Sequence, residues 1–413
     1  MNEAMQNWGP LILACACAAC MLAYWIVQTR RHEALLRRVP IRVHVNGIRG
    51  KSTIVRYIAG ALREGGIRTV AKTTGSATRL IRPDGREETI ARTGAPTIIE
   101  QIDILRRAID PQTQAFVIEC MALEPEYQRV SERRMIRATD GIIANVRRDH
   151  IGQLGYRLTD IASSLSNTAP RAAPLFTAEG RAELRAVLSE AVAARDGHLV
   201  AVAAGDVSDA EMAGFDPLSF PENVALALAV AERHGVPRDV ALRGMRKARP
   251  DPGASKLFHH RVEDRDLYWI DLFGVNDVES AQANLDRVAG WAEGRGELIL
   301  VLNNRADRED RTLEFAEMVA GAETADRVFL AGENLDTLRD AVRKAGLKNA
   351  RLLKLPKDPT PRDILDQVTD GGSAVLVGLA NIHTADATRL RATLEDDDHV
   401  WSGEAEAPLR SAA

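Results

Sequence analysis

The chain has 413 residues and a mass of 45.1 kDa, enough for a large buried core spread over two or three domains. Lys and Arg number 54 against 58 Asp and Glu, a formal net charge of −4, so no basic excess marks a nucleic-acid binder, and 4% aromatics give no stacking platform for single strands. Of the four cysteines, Cys15, Cys17 and Cys20 share one apolar run and Cys120 stands alone, which leaves neither a disulfide framework nor a CxxC zinc site.

No charge separates Glu3 from Arg30, and residues 8–27 are almost wholly apolar. Twenty helical residues span roughly 30 Å, the thickness of a bilayer's hydrocarbon core. Tyr24 and Trp25 sit at one end, where interfacial aromatics are favoured, and Arg30, Arg31, Arg37 and Arg38 follow. The positive-inside bias places the N-terminus outside and the rest of the chain in the cytoplasm: a single-pass cell-membrane protein with an anchor at 1–29 and a basic juxtamembrane linker at 30–39. A cleaved signal peptide would want a positive start, and Glu3 stands there instead.

Strand-like and helix-like stretches then alternate. Residues 41–46, 67–72, 114–119 and 141–146 read as strands, and 51–64, 97–108 and 125–138 as helices. Helices at 221–234 and 237–247 lead into the Pro-rich break Arg249-Pro250-Asp251-Pro252-Gly253, where a domain boundary is expected. A second alternating set has strands near 268–272, 297–302, 327–331, 351–354 and 374–377. The pattern predicts α/β domains at 40–250 and 251–394, each a mostly parallel sheet covered by helices, and a flexible acidic tail at 395–413.

The strongest motif is Val45-Asn46-Gly47-Ile48-Arg49-Gly50-Lys51-Ser52-Thr53, a β-branched strand running through a glycine turn into a helix. Backbone N–H groups of such a loop point at phosphate oxygens, and the helix dipole favours their charge. Lys51 is placed to reach the β/γ phosphates and the Ser52 hydroxyl to bind Mg²⁺, so Asn46, Gly47, Gly50, Lys51, Ser52 and Thr53 are the ATP-binding candidates. The full Walker pattern wants a glycine where Val45 stands, so the motif is the shorter GxxGKS. The bland alternative is a strand-to-helix turn with a chance Gly-Lys-Ser.

The short form resembles the ATP loop of the Mur ligase superfamily. Glu119-Cys120-Met121-Ala122 and Asn145-Val146-Arg147-Arg148-Asp149-His150 strengthen the resemblance. It implies that Glu119 serves the ATP magnesium and His150 a second one, so Lys51, Glu119 and His150 carry the chemistry, with Asn223 near the ATP base. Together with Lys72-Thr73-Thr74-Gly75, Asp251-Pro252-Gly253-Ala254 and Asn304-Arg305-Ala306-Asp307-Arg308, these strings resemble the ligase subunit of membrane-bound poly-γ-glutamate synthases, the CapB/PgsB type.

That family implies a P-loop central domain, a Rossmann-like C-terminal domain, and an ATP- and Mg²⁺-dependent amide ligase. In such a ligase a glutamate γ-carboxylate becomes an acyl phosphate, which the amine of the next glutamate attacks. Implied partners are glutamate, the growing chain, small membrane subunits of a synthase or export complex, and a second copy of the chain; nucleic acid is not among them. Thr73, Thr74, Ser76, Asp307 and Arg308 are substrate candidates, and Arg305 one for the nucleotide; Asn276, Asp277 and His383 lie in comparable strand-end loops. One departure stands out: many Mur ligases hold the second magnesium with a carbamylated lysine, and here no lysine occurs from Thr73 to Arg246. Two alternatives remain: a P-loop ATPase subunit that powers or regulates a membrane export complex, and a membrane-tethered Mur-type ligase with another acceptor.

Overall fold

A computed structural model of the chain describes residues 2–75, 78–90, 97–216, 218–251, 255–275, 277–322 and 325–401. Ser76, Asn276 and residues 252–254 lie outside them. Two sheets form, one on each side of the Pro-rich break.

The first contains β1 (Ile41–Asn46), β2 (Thr69–Thr73), β3 (Arg79–Ile81), β4 (Glu87–Thr89), β5 (Ala115–Glu119), β6 (Asp140–Ile143), β7 (Pro174–Thr177) and β8 (His198–Ala201). Their spatial order is β4-β3-β2-β5-β1-β6-β7-β8, parallel throughout except for the β2–β3–β4 meander. Alternation along β1 decides what lies on each face. Val43 and Val45 join a core with Ile54, Ile58 and Leu62 of α2 (Lys51–Glu64). His44 and Asn46 face the opposite layer, which contains α3 (Glu100–Ala108) and α4 (Pro125–Val130). Two further helices, α5 (Pro221–Arg233) and α6 (Arg238–Arg246), cover the α2 face. A Cβ on Gly60 of α2 would stand 2.4 Å from the Gly244 carbonyl of α6, and one on Gly244 2.3 Å from the Gly60 carbonyl, so these two backbones touch.

The second sheet holds β9 (Leu257–Val262), β10 (Arg265–Asp271), β11 (Glu297–Asn304), β12 (Arg327–Gly332), β13 (Arg351–Leu352) and β14 (Ala374–Ala380). Their order is β13-β12-β11-β14-β10-β9, with β9 antiparallel at the edge. Helices α7 (Val278–Ala292) and α8 (Ala385–Leu394) contribute to separate cores on its two faces.

Four expectations change. The anchor helix, α1 (Asn2–Arg38), does not stop before a linker. It runs unbroken through residues 30–38 because its last turns are part of the body. Leu36 and Val39 are buried, His32 Nε2 lies 2.8 Å from the Met135 carbonyl oxygen, and Arg137 bonds Glu33 at 2.7 Å. The helix expected at 125–138 splits into α4 and a π turn, Ser131–Ile136, which ends at Arg137 with φ 51°. Strand β6 stops at Ile143, since the next residues are drawn out of the sheet: Asn145 binds the backbone of Arg49 at both ends and the Val146 N–H donates to Glu179. Residues 395–401 of the tail pack on the body, with Trp269 Nε1 donating to Glu395, His399 stacked on His260, and the Trp401 N–H donating to the Leu257 carbonyl.

Candidate active site

The C-terminal ends of β1 and β5 set the phosphate loop beside a carboxylate. Gly47 has φ 125°, and a Cβ there would meet the Ala144 nitrogen at 2.9 Å, so only glycine lets β1 turn this close to the residues after β6. Gly50 has φ 81°, and its Cβ would strike Asn223 Oδ1 at 2.7 Å, which seats the first turn of α5 against the loop. Helix α2 starts at Lys51 with no acid in its first turn, leaving its N–H groups and dipole open to an anion. Lys51 Nζ donates to the Gly47 carbonyl at 2.9 Å and the Ile48 carbonyl at 3.2 Å, so the ammonium lies over the loop.

Beneath it, Glu119 Oε2 accepts from Ser52 Oγ at 2.8 Å and from the Thr74 N–H at 2.7 Å. The contacting hydroxyl and carboxylate make a hard oxygen pair of the kind a divalent cation takes. Around them opens a cleft of ≈ 970 Å³ lined from both sheets: Lys51, Ser52, Thr53, Glu119 and Asn223 on one side, Asp271, Arg391 and Glu395 on the other. Burial pushes the Asp271 carboxyl up to about 6; the Phe273 N–H opposes this, Glu395 adds to it, and Arg391, 3.0 Å away, works against it. Arg56, 2% exposed, enters the same cleft already paired with Glu87 and 3.5 Å from Asp251.

A family model for the poly-γ-glutamate synthase CapB C-terminal domain matches residues 257–397. A capsule biosynthesis protein CapB from Bacillus anthracis is 32% identical over 371 residues, covering 89% of this chain and 80% of that protein. PGA synthase CapB from Bacillus subtilis (strain 168) is 32% identical over 378 residues, covering 91% and 95%. The chain belongs to the CapB family of poly-γ-glutamate synthases. Its fold is similar to that of a bifunctional folylpolyglutamate synthase/dihydrofolate synthase from Yersinia pestis complexed with AMPPNP and Mn ion, with TM-score 0.62 at 15% identity over 88% of this chain and 91% of that one. It is also similar to that of MurF from Acinetobacter baumannii, with TM-score 0.60 at 14% identity over 88% and 79%. At such identity the likeness is one of fold.

Within this CapB-family chain the candidates separate by position. Gly50, Lys51, Ser52, Thr53, Glu119 and Asn223 line the cleft, and Gly47 shapes the turn beside it. The Asn46 side chain points to the other face of the sheet, where it donates to Gln128 and Thr168. Thr73 is buried in β2, and Thr74 contributes its backbone N–H to Glu119. His150 is not a strand end. It opens the short helix Ile151–Leu154 with φ 47°, its side chain is about half exposed, and its nearest carboxylate is that of Asp149, Nε2 to Oδ1 3.8 Å. β1 lies between β5 and β6, so a strand separates Glu119 from the segment that holds His150. No cluster of three or more His, Cys, Asp or Glu able to hold a metal occurs among the described residues.

Arg305, Asp307 and Arg308 follow β11, outside the cleft lining; Arg305 spends its guanidinium on Asp307 at 2.7 Å, and His383 is exposed. Sequence reasoning did not find Asp271, although it ends a strand just as Glu119 does. Nor did it find Arg391 and Glu395, which only the fold brings to β10, Arg391 beside Asp271 and Glu395 on Trp269 Nε1.

Proposed function

We propose that the chain is an ATP-dependent amide ligase of poly-γ-glutamate synthesis, held to the cell membrane by α1 with its body in the cytoplasm. The observation that carries this reading is the phosphate loop, with Lys51 above and the Ser52–Glu119 pair below, opening onto a cleft whose far wall belongs to a second α/β unit. A hydrolase needs only the loop; a ligase must bring a third reactant up to the nucleotide. The curated relatives named PGA synthase CapB and capsule biosynthesis protein CapB support glutamate as that reactant.

In the first step a γ-carboxylate oxygen of glutamate or of the chain end attacks the γ-phosphorus of ATP, and the Pγ–O bond to ADP breaks. In the second, the amine of the next glutamate attacks the acyl carbonyl, phosphate leaves, and the amine's proton is released. Charge on the transferred phosphoryl group makes positioning and cations the main contribution of the protein. Lys51 and the N–H groups opening α2 bind and orient the phosphates, and Asn223 borders the loop. Ser52 and Glu119 would hold Mg²⁺, which when bound neutralises phosphate charge. Arg391 offers a cation for a substrate carboxylate, and Asp271 and Glu395 an anionic patch for an ammonium group. Small membrane subunits that complete a synthase are the partners this reading implies.

Membranes carrying the chain should release ADP in a glutamate-dependent way and yield a polymer that can be sized. Lys51→Ala should abolish both while the protein stays folded and membrane-bound. Glutamate-independent ADP release by the unmodified protein would favour the export-ATPase reading instead.

A further inference from the structure

Arg49 lies inside the phosphate loop and lines the cleft, yet its polar groups are engaged by other residues. Its backbone is taken by Asn145: the Arg49 N–H donates to Asn145 Oδ1 at 3.0 Å, and Asn145 Nδ2 donates to the Arg49 carbonyl at 3.1 Å. Its side chain leaves the loop altogether. Nε donates to Asp277 Oδ2 at 2.8 Å, across the gap to the second sheet's unit, and Nη2 lies 3.1 Å from Asp149. Asp277 is 7% exposed and divides its two oxygens between two tasks: Oδ1 caps α7 by accepting from the Ser280 N–H at 2.8 Å, and Oδ2 accepts from Arg49.

Two residues along, Glu279 receives Arg147 and, at 3.5 Å, Arg181, both from the first unit. Two acids of one helix start thus face three arginines across the domain boundary. Arg49 is the member that belongs to the phosphate loop.

We propose that Arg49 and Asp277 are positioning residues that register the second domain's β10–α7 segment against the phosphate loop. That segment begins at Asp271, and Asp271, Gly274 and Val275 line the same cleft as Lys51 and Glu119. A reaction whose partners stand on two domains needs the reacting atoms about 3–3.5 Å apart, and misplacement by about 1 Å can cost on the order of a hundredfold in rate. The contact therefore acts on turnover and leaves the nucleotide's own binding groups alone. The kinetic part of this inference rests on the ligase reading; the structural part does not.

Asp277→Asn is the decisive variant, because asparagine caps a helix as well as aspartate does but cannot pair with a guanidinium. In the full chain, kcat should fall roughly ten- to a hundredfold, with the KM for ATP within about threefold of the unmodified value. Fluorophores on the two units should report a broader distance distribution in the variant. Arg49→Lys should rescue only in part, since an ammonium cannot serve two carboxylates as a planar fork does. If Asp277→Asn melts early, Glu279→Gln, which leaves the cap intact, should show the same pattern more weakly. Unmodified kcat and distance distribution in both variants overturn the proposal. So does a parallel loss of ATP affinity, which would place Arg49 on the phosphates. Glutamate-independent ATP turnover by the unmodified chain would sink the ligase reading while the distance measurement still decided the positioning role.

Discussion

Glu119 and His150 looked alike on paper, each assigned to a magnesium ion, and they differ completely in place. Glu119 holds Ser52 and the Thr74 N–H in the cleft, whereas His150 sits half exposed at a helix start. Glu119→Gln should therefore raise the Mg²⁺ needed for turnover, with excess Mg²⁺ restoring part of the rate; removing one such electrostatic stabiliser costs about 2.7–4 kcal/mol. Metal titration of ATP turnover checks it, and an unshifted titration would leave Glu119 a structural strand end. A second residue, passed over in the sequence, matters for stability. His44 is fully buried under the loop strand, its Nδ1 2.8 Å from Glu132 Oε2. Burial disfavours its charge, yet the neighbouring Cys120 and Glu132 prevail and raise the ring's pKa to about 10. Because the folded value lies above the ordinary 6.5, this group's stabilisation is complete below pH 6.5 and disappears as pH rises towards 10. Glu132→Gln should cost about 3–5 kcal/mol, as expected for breaking a buried pair, and should flatten that pH window. Denaturant melts at pH 6 and pH 9 measure both.

At the scale of elements, the loop strand, its helix and the runs after the Pro-rich break were legible because their apolar periodicity is strong. β3 and β4 were not: Glu87-Glu88-Thr89 carries no apolar signal, and only the Pro83-Asp84-Gly85 turn, with φ 85° at Gly85, announces a hairpin. β7 and β8 were too short to stand out. The limits of α1 were misjudged because charge was taken to mean solvent. Arg30, Arg31, Arg37 and Arg38 are exposed, but His32 and Leu36 between them face the body. Among the described residues α1 is the one helix long and apolar enough to cross a membrane, so truncation tests which part of it is structural. A chain starting near Arg30 should keep the unmodified body's stability. One starting at Val39 should lose about 2–5 kcal/mol, the range for emptying one buried leucine site. Equal melting of the two would mean the last turns of α1 contribute nothing to the fold.

At the scale of the whole molecule, the two sheets were foreseeable from alternation on either side of the break, but nothing in the residue pattern says where one unit rests on the other. Asp277 was noted as a strand-end acid, and its partner Arg49, 228 positions away, could be found only in space. The same holds for Gly60 and Gly244, unremarkable as single glycines. Their backbone contact fastens the phosphate helix α2 to α6, and α6 ends at Arg246, just before the chain crosses to the second unit. A crossing rooted in this way works as a fulcrum bolted to the phosphate helix itself. Any swing of the second unit is then measured from the helix that follows the phosphate loop. Gly244→Ala would wedge a methyl group against the Gly60 carbonyl. It should cost about 1–3 kcal/mol, as overpacking does, and, unlike a cavity elsewhere in the core, it should shift the interdomain distance while Lys51 and Ser52 stay in place.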